Sequence, residues 1–208
     1  MTTSDTVLAP LSTPSRIEHA IQRPVVGHVL SDEGRLLHRA RAGDQSAFAE
    51  LYERHIDRVY RYCLLRIGNS HDAEDVTEQA FVRAFRSIAQ QRDDEFAPWL
   101  FGIARTLLVD RHRAEKRFQQ TAHLFVAHAA HSDPEPEIDR LVDGDLLRRA
   151  VRQLTPDQQH VILLRFGEGM SLSTVASTLG KRVSAVEKLQ ERGLAALRRC
   201  IGSRPLSK

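Results

Sequence analysis

Two cysteines in 208 residues, Cys63 and Cys200, are too few and too far apart for a disulfide framework. Neither has a second cysteine or a histidine at metal-ligand spacing, so no zinc knuckle is expected, and both read as packed thiols among apolar helical residues. No run approaches the roughly 18 apolar residues that a membrane span needs. The first residues lack the basic and apolar segments of a secretion signal, so the expected compartment is the reducing cytoplasm, without stable membrane insertion. Strand patterning is lacking too: no stretch alternates apolar and polar residues, which points to an all-α fold. There is no glycine-rich phosphate loop, no Ser-His-Asp order and no carboxylate pair in an apolar pocket, so nothing supports an enzyme or a cofactor. Ten histidines invite a metal reading, but His123, His128 and His131 have no cysteine or carboxylate partners at fixed spacing, and no metal site is expected.

Charge is plentiful and unevenly spread. Residues 1–34 net −2, residues 35–117 net +2, residues 118–144 net −4, and residues 145–208 net +7. The basic C-terminal part suits a polyanion. The sharpest contrast lies between His71 and Arg117. The first half, HDAEDVTEQAFVRAF, puts Ala73, Val76, Ala80, Phe81 and Ala84 on one helical stripe and leaves Asp72, Asp75, Glu78 and Gln79 largely on another. The second half, PWLFGIARTLLVDRHRAEKR, has its apolar stripe at Trp99, Leu100, Ile103, Leu107 and Leu108. Arg105, Arg111, Arg113, Lys116 and Arg117 lie mostly off that stripe. An acidic helix followed by a basic helix is the layout of an adaptor between a protein and a nucleic acid.

Residues 1–34, rich in Ser, Thr and Pro, read as a disordered extension. Residues 35–117 form a helical module, with a long stripe at Ala47, Phe48, Leu51, Tyr52, Ile56, Val59, Tyr60, Cys63 and Leu64. Residues 118–144 read as an acidic linker with Pro134 and Pro136, and with a small apolar knot at Leu124, Phe125 and Val126. Residues 145–203 form a second helical module. Within it, Thr155-Pro156-Asp157-Gln158 has the pattern of a capping box. The stretch Gly169 to Arg199 then reads as a helix-turn-helix. Ser171 is the N-cap, Leu172, Val175, Ala176 and Leu179 face inward, and Gly180 ends the short helix. The second helix presents Ser184, Glu187, Lys188, Glu191 and Arg192 outward, where a major-groove reader needs them, while Lys181 and Arg182 suit phosphates.

Taken together, these residues resemble the bacterial sigma factors of the extracytoplasmic-function group, in the sigma-70 family. The resemblance rests on Leu37, Ala40, Gly43, Asp44, Ala47, Phe48, Leu51, Tyr52 and Val59, then Ala73, Glu74, Asp75, Phe81, Ala84 and Phe85. It continues through Trp99, Leu100, Ile103, Ala104, Arg105, Asp110 and Arg113, and then through the helix-turn-helix. It implies that Asp72, Asp75, Glu78 and Gln79 bind the β′ coiled coil of the RNA polymerase core. It implies that the loop with Arg92, Asp94 and Phe96, and the helix with Arg105, Thr106, Arg111, Arg113, Lys116 and Arg117, read and melt the −10 promoter element. It implies that Ser171, Lys181, Arg182, Ser184, Glu187, Lys188, Glu191 and Arg192 read the −35 element, that the same module touches the β flap, and that an anti-sigma factor holds the two modules inactive; control by the N-terminal extension, whose four acids could shield basic surfaces, is an equal alternative. The order Glu78-Gln79 reverses the family's usual one, and Thr106, Thr174, Glu187 and Leu189 also depart from its pattern. The competing expectation is an autonomous helix-turn-helix regulator whose first module dimerises or senses a signal.

Overall fold

The computed structural model describes the backbone of residues 31–92, 95–122 and 144–202. These residues form eight α-helices and no strand. Helices α1 (Asp32–Arg41), α2 (Gln45–Ile67), α3 (Ser70–Ser87) and α4 (Phe96–Ala122) build the first module. Helices α5 (Gly144–Arg152), α6 (Pro156–Ile162), α7 (Leu172–Leu179) and α8 (Val183–Gly202) build the second. Among the described residues, no helix is long and apolar enough to cross a membrane.

Local chemistry sets the helix starts. Ser31 accepts the Gly34 N–H, so α1 begins at Asp32, inside the segment expected to be an extension. Asp32 is further held by Arg54 of α2 at 2.6 Å. Asp44 accepts the Ser46 and Ala47 N–H groups at 3.0 and 3.1 Å and starts α2. Asn69 accepts from Asp72 N–H and starts α3. The capping box at Thr155 is complete, with its hydroxyl on the Gln158 N–H and the Gln158 carboxamide on the Thr155 N–H. Helix α4 runs to Ala122, past the expected start of the linker at residue 118. The rest of that segment up to Asp143, with the Leu124–Val126 knot and the three histidines, lies outside the described residues, as do residues 1–30.

The core of the first module is apolar and layered on α2. Leu51, Val59 and Cys63 are buried there against Ala73, Ala80 and Ala84 of α3 and Leu100, Phe101 and Ala104 of α4. Burial pushes the Cys63 thiol up to about 12, as expected of an inert packed thiol. One position on the α2 stripe differs from expectation, and one residue outside that stripe is buried. Tyr52 is 41% exposed, with its ring edge on Phe81, and the buried tyrosine is instead Tyr62. Both follow from helix geometry: a 23-residue helix touched on several sides does not keep one stripe facing one neighbour.

In the second module, Val161 and Leu164 join Val151, Val175, Val186 and Leu197 in the core. Helix α6 passes into a π-helical turn, Leu163–Gly167, rather than ending at a simple glycine stop. Gly180 ends α7 at φ +61°, a conformation only glycine adopts at no steric cost, and this makes the turn of the helix-turn-helix. At Gly193 an added Cβ would stand 3.0 Å from Ile162 Cγ1, so glycine lets α8 lie close on α6.

Candidate nucleic-acid interface

The outward face of α8 is intact. Ser184, Glu187, Lys188, Glu191 and Arg192 are all exposed, at helix spacings of three and four, and Arg182 is exposed just before them. Helix α7 is fixed behind by Ser171, whose hydroxyl accepts the Thr174 N–H at 3.0 Å. Arg165 braces the assembly from inside, donating to Gln190 Oε1 of α8 at 3.1 Å and to the Met170 carbonyl. A rigid helix presenting three polar and charged turns is the geometry that major-groove reading requires.

The basic helix α4 exposes Thr106, Arg113, Lys116 and Arg117 to solvent. Thr106 spends its hydroxyl on the Gly102 carbonyl, at 3.0 Å. Arg92 is exposed in the loop before α4, while Asp94 lies outside the described residues. Phe96 is a correction. Expected at the DNA face, it is wholly buried, with its ring against Phe48, His55 and Trp99. Its apolar body gains more from the core than from solvent, and as the first residue of α4 it anchors that helix. Trp99 packs on the same core, half-buried, and also lines a cleft of about 650 Å³ with Arg92, Thr106, Thr174 and Thr178.

The acidic face is less separate from the basic one than the sequence suggested. Glu74, Glu78 and Gln79 are exposed on α3, and Asp75 is half-buried. Asp72, however, pairs with Arg111 of α4 at 2.6 Å, and Arg111 also reaches Glu115 at 3.0 Å. Asp72 and Arg111, assigned from sequence to different partners, therefore neutralise each other within the first module.

The sequence reading missed a polar seam where the modules meet. Arg58, Tyr62 and Arg66, four residues apart on α2, each engage the second module. Arg58 grips Glu168 through Nε and Nη2, at 2.8 and 2.7 Å. The Tyr62 hydroxyl bonds His160 Nδ1, with both side chains buried. Arg66 donates to the Pro156 carbonyl at 2.9 Å and to Gln159 Oε1 at 2.6 Å. Asp157 stands between the two candidate DNA faces, 3.9 Å from Arg105 of α4 and 2.9 Å from Lys181. A signal was present in the spacing of four, but pairing partners roughly a hundred residues apart cannot be read from one sequence.

Comparison with known proteins gives this geometry its context. The sigma-70 region 2 family matches residues 51–118, and the sigma-70 region 4 family matches residues 150–199. The chain is 38% identical over 173 residues to the extracytoplasmic-function sigma factor BldN of Streptomyces coelicolor, covering 80% of this chain and 64% of that protein. It is 35% identical over 164 residues to SigE of Mycolicibacterium smegmatis, covering 75% of this chain and 63% of that one. The chain thus spans a little under two thirds of the length of these two relatives. It is 29% identical to SigW of Bacillus subtilis over 172 residues, covering 77% of this chain and 92% of that protein. Among solved structures, CnrH in complex with the cytosolic domain of CnrY matches at a TM-score of 0.63 and 26% identity, over 83% of this chain and 99% of that one. With region 2 preceding region 4 and relatives on both, the chain belongs to the sigma-70 family, in its extracytoplasmic-function group.

Proposed function

We propose that this chain is a promoter-specificity subunit that binds RNA polymerase core and directs initiation, while catalysis stays with the polymerase. The observation that carries the reading is the presence of two candidate DNA faces on separate modules of one chain. These are the outer face of α8 and the basic flank of α4, with an acidic protein-facing surface on α3 between region 2's core and solvent. In this reading Asp75, Glu78 and Gln79 contact the β′ coiled coil. Arg92, Arg113, Lys116 and Arg117 flank the melted −10 element, and Arg182 to Arg192 read the −35 element. Strand opening costs a few kcal/mol per unstacked base, and a loop beside a basic helix supplies the capture that offsets it. The working boundaries are 35–117 for the core-binding module and 145–203 for the −35 reader. The second module meets the β flap, an anti-sigma factor is the expected inhibitor, and the cytoplasm is the expected compartment.

Run-off transcription with core polymerase on a promoter library tests this directly. Specific initiation dependent on the chain is expected, and Asp75→Arg should weaken core binding at least tenfold by replacing an attractive contact with a repulsive one. Tight, specific DNA binding without polymerase, together with no effect of Asp75→Arg, would favour the autonomous regulator instead.

A further inference from the structure

The promoter elements named above lie roughly 25 base pairs apart, which at about 3.4 Å each is roughly 85 Å of duplex. In this structure Arg105 and Lys181, one from each reader, approach the same Asp157 carboxylate. Helix α7 also faces α4 across the cleft, with Thr178 Cγ2 3.9 Å from where a Cβ on Gly102 would stand. The two readers therefore cannot reach both elements until the seam opens, and the closed form is incompetent for promoter binding.

What holds the seam is a buried contact that titrates. His160 is fully buried, shares a hydrogen bond between its Nδ1 and the Tyr62 hydroxyl, and has no hydrogen-bond partner at Nε2. The charged groups that act on it are all cationic: Arg66 from α2, Arg105 from α4 and Lys181 from the loop between α7 and α8. Asp157, on its own helix, is shared between Arg105 and Lys181, and Tyr62 is the titratable group that touches it. Burial also holds the Tyr62 hydroxyl protonated, well above its ordinary range. A second proton on His160 would place a fourth positive charge among three, out of water and facing no carboxylate of its own.

We infer that the Tyr62–His160 contact is a proton-sensitive latch on the closed form, and that protonation of His160 releases the two modules from each other. Burial, and then the neighbouring cations, push the His160 imidazole down to about 2 in the closed form, against about 6.5 for a solvated one. The sign follows from linkage. The group is depressed in the closed form, so its contribution to closure is complete above about pH 6.5 and is lost as pH falls below that value. One proton separates the states, so the closed-to-open ratio falls about tenfold between pH 7.5 and pH 5.5. The Arg58–Glu168 and Arg66–Gln159 contacts also hold the seam, which makes the latch a modulator of opening.

The inference rests on the two-reader interpretation of the chain, but its test needs neither polymerase nor promoter, so the two can fail separately. Dyes at Glu53→Cys and Glu191→Cys, in a Cys200→Ser background with Cys63 buried and unlabelled, report the distance between modules in the full chain. Single-molecule energy transfer counts open and closed molecules even when one form is rare. The expected result is the tenfold fall from pH 7.5 to 5.5 in the native sequence and a flat response in His160→Asn, which keeps an acceptor for Tyr62 but does not titrate. Tyr62→Phe should lower the closed fraction at pH 7.5 and keep the pH response, and far-UV circular dichroism checks that each variant remains helical. A flat response in the native sequence, or an equal response in His160→Asn, overturns the latch.

Discussion

The interior of the first module and the seam between modules are built from different chemistry. Leu51, Val59 and Phe101 fill the interior without a polar partner, and close packing makes that interior a single cooperative unit. The seam is bonded by Arg58, Tyr62, Arg66 and Arg105 against Glu168, His160, Gln159 and Asp157. An apolar core loses its whole driving force when exposed to water. The polar bonds of the seam exchange for water at little net free energy each, although the buried apolar cluster itself runs on through both modules. The difference teaches that the contacts between modules are paired, charge by charge and bond by bond, while the interior is held by close packing alone.

The largest expected effect breaks the interior. Leu51→Ala removes a fully buried side chain between α2 and its neighbours, and should destabilise the first module by about 2–5 kcal/mol in urea or thermal unfolding. A loss under about 1 kcal/mol would show that the interior collapses around the cavity and is looser than its burial suggests. Gly193→Val probes the second interior from the opposite direction. Its added Cβ would already stand 3.0 Å from Ile162 Cγ1, and overpacking there should cost about 1–3 kcal/mol.

Smaller effects sharpen the seam. Glu168→Gln removes the charge that Arg58 grips and should shift closure by about 1 kcal/mol, since Arg58 remains one-third exposed. Helical content should stay unchanged while the inter-module distance rises. An accompanying loss of helix would place Glu168 in the module's own stability instead. The smallest effect concerns the DNA face. Lys181→Ala removes one candidate phosphate contact, and should reduce the slope of log affinity against log salt for a −35 duplex by about one while weakening all sequences alike. A change confined to one base position would mark Lys181 as a base reader.

Most of the helical outline was legible from local chemistry. Asp44, Thr155, Ser171 and Gly180 each act within four residues of their partners, so their caps and turns follow from sequence alone. The outer face of α8 was legible for the same reason, because helix periodicity alone sorts Ser184 to Arg192 outward. Phe96, an aromatic beside a polar loop, looks solvent-facing in sequence until α2 and α4 close around it. Asp72 and Arg111 were assigned to separate partners because charge patterning reports sign and period and says nothing of who stands opposite. The burial of Tyr62 is beyond helix periodicity for a related reason: it lies beside the α2 stripe, and only the packing of α4 and α6 covers it.

By itself, the sequence determined the helical class, the caps at Thr155, Ser171 and Gly180, the helix-turn-helix and the charge carried on each face, since these depend on neighbours a few positions away, while the start of α1 and the far end of α4 escaped it. The family membership follows from the same local patterns. Only the tertiary structure decided that the two modules share a seam, that His160 is buried among three cations, and that the Asp157 carboxylate stands between the two candidate DNA faces. Those relations join residues from about twenty to more than a hundred positions apart, and a hydrogen bond forms only where the folded backbone has already brought donor and acceptor within about 3 Å.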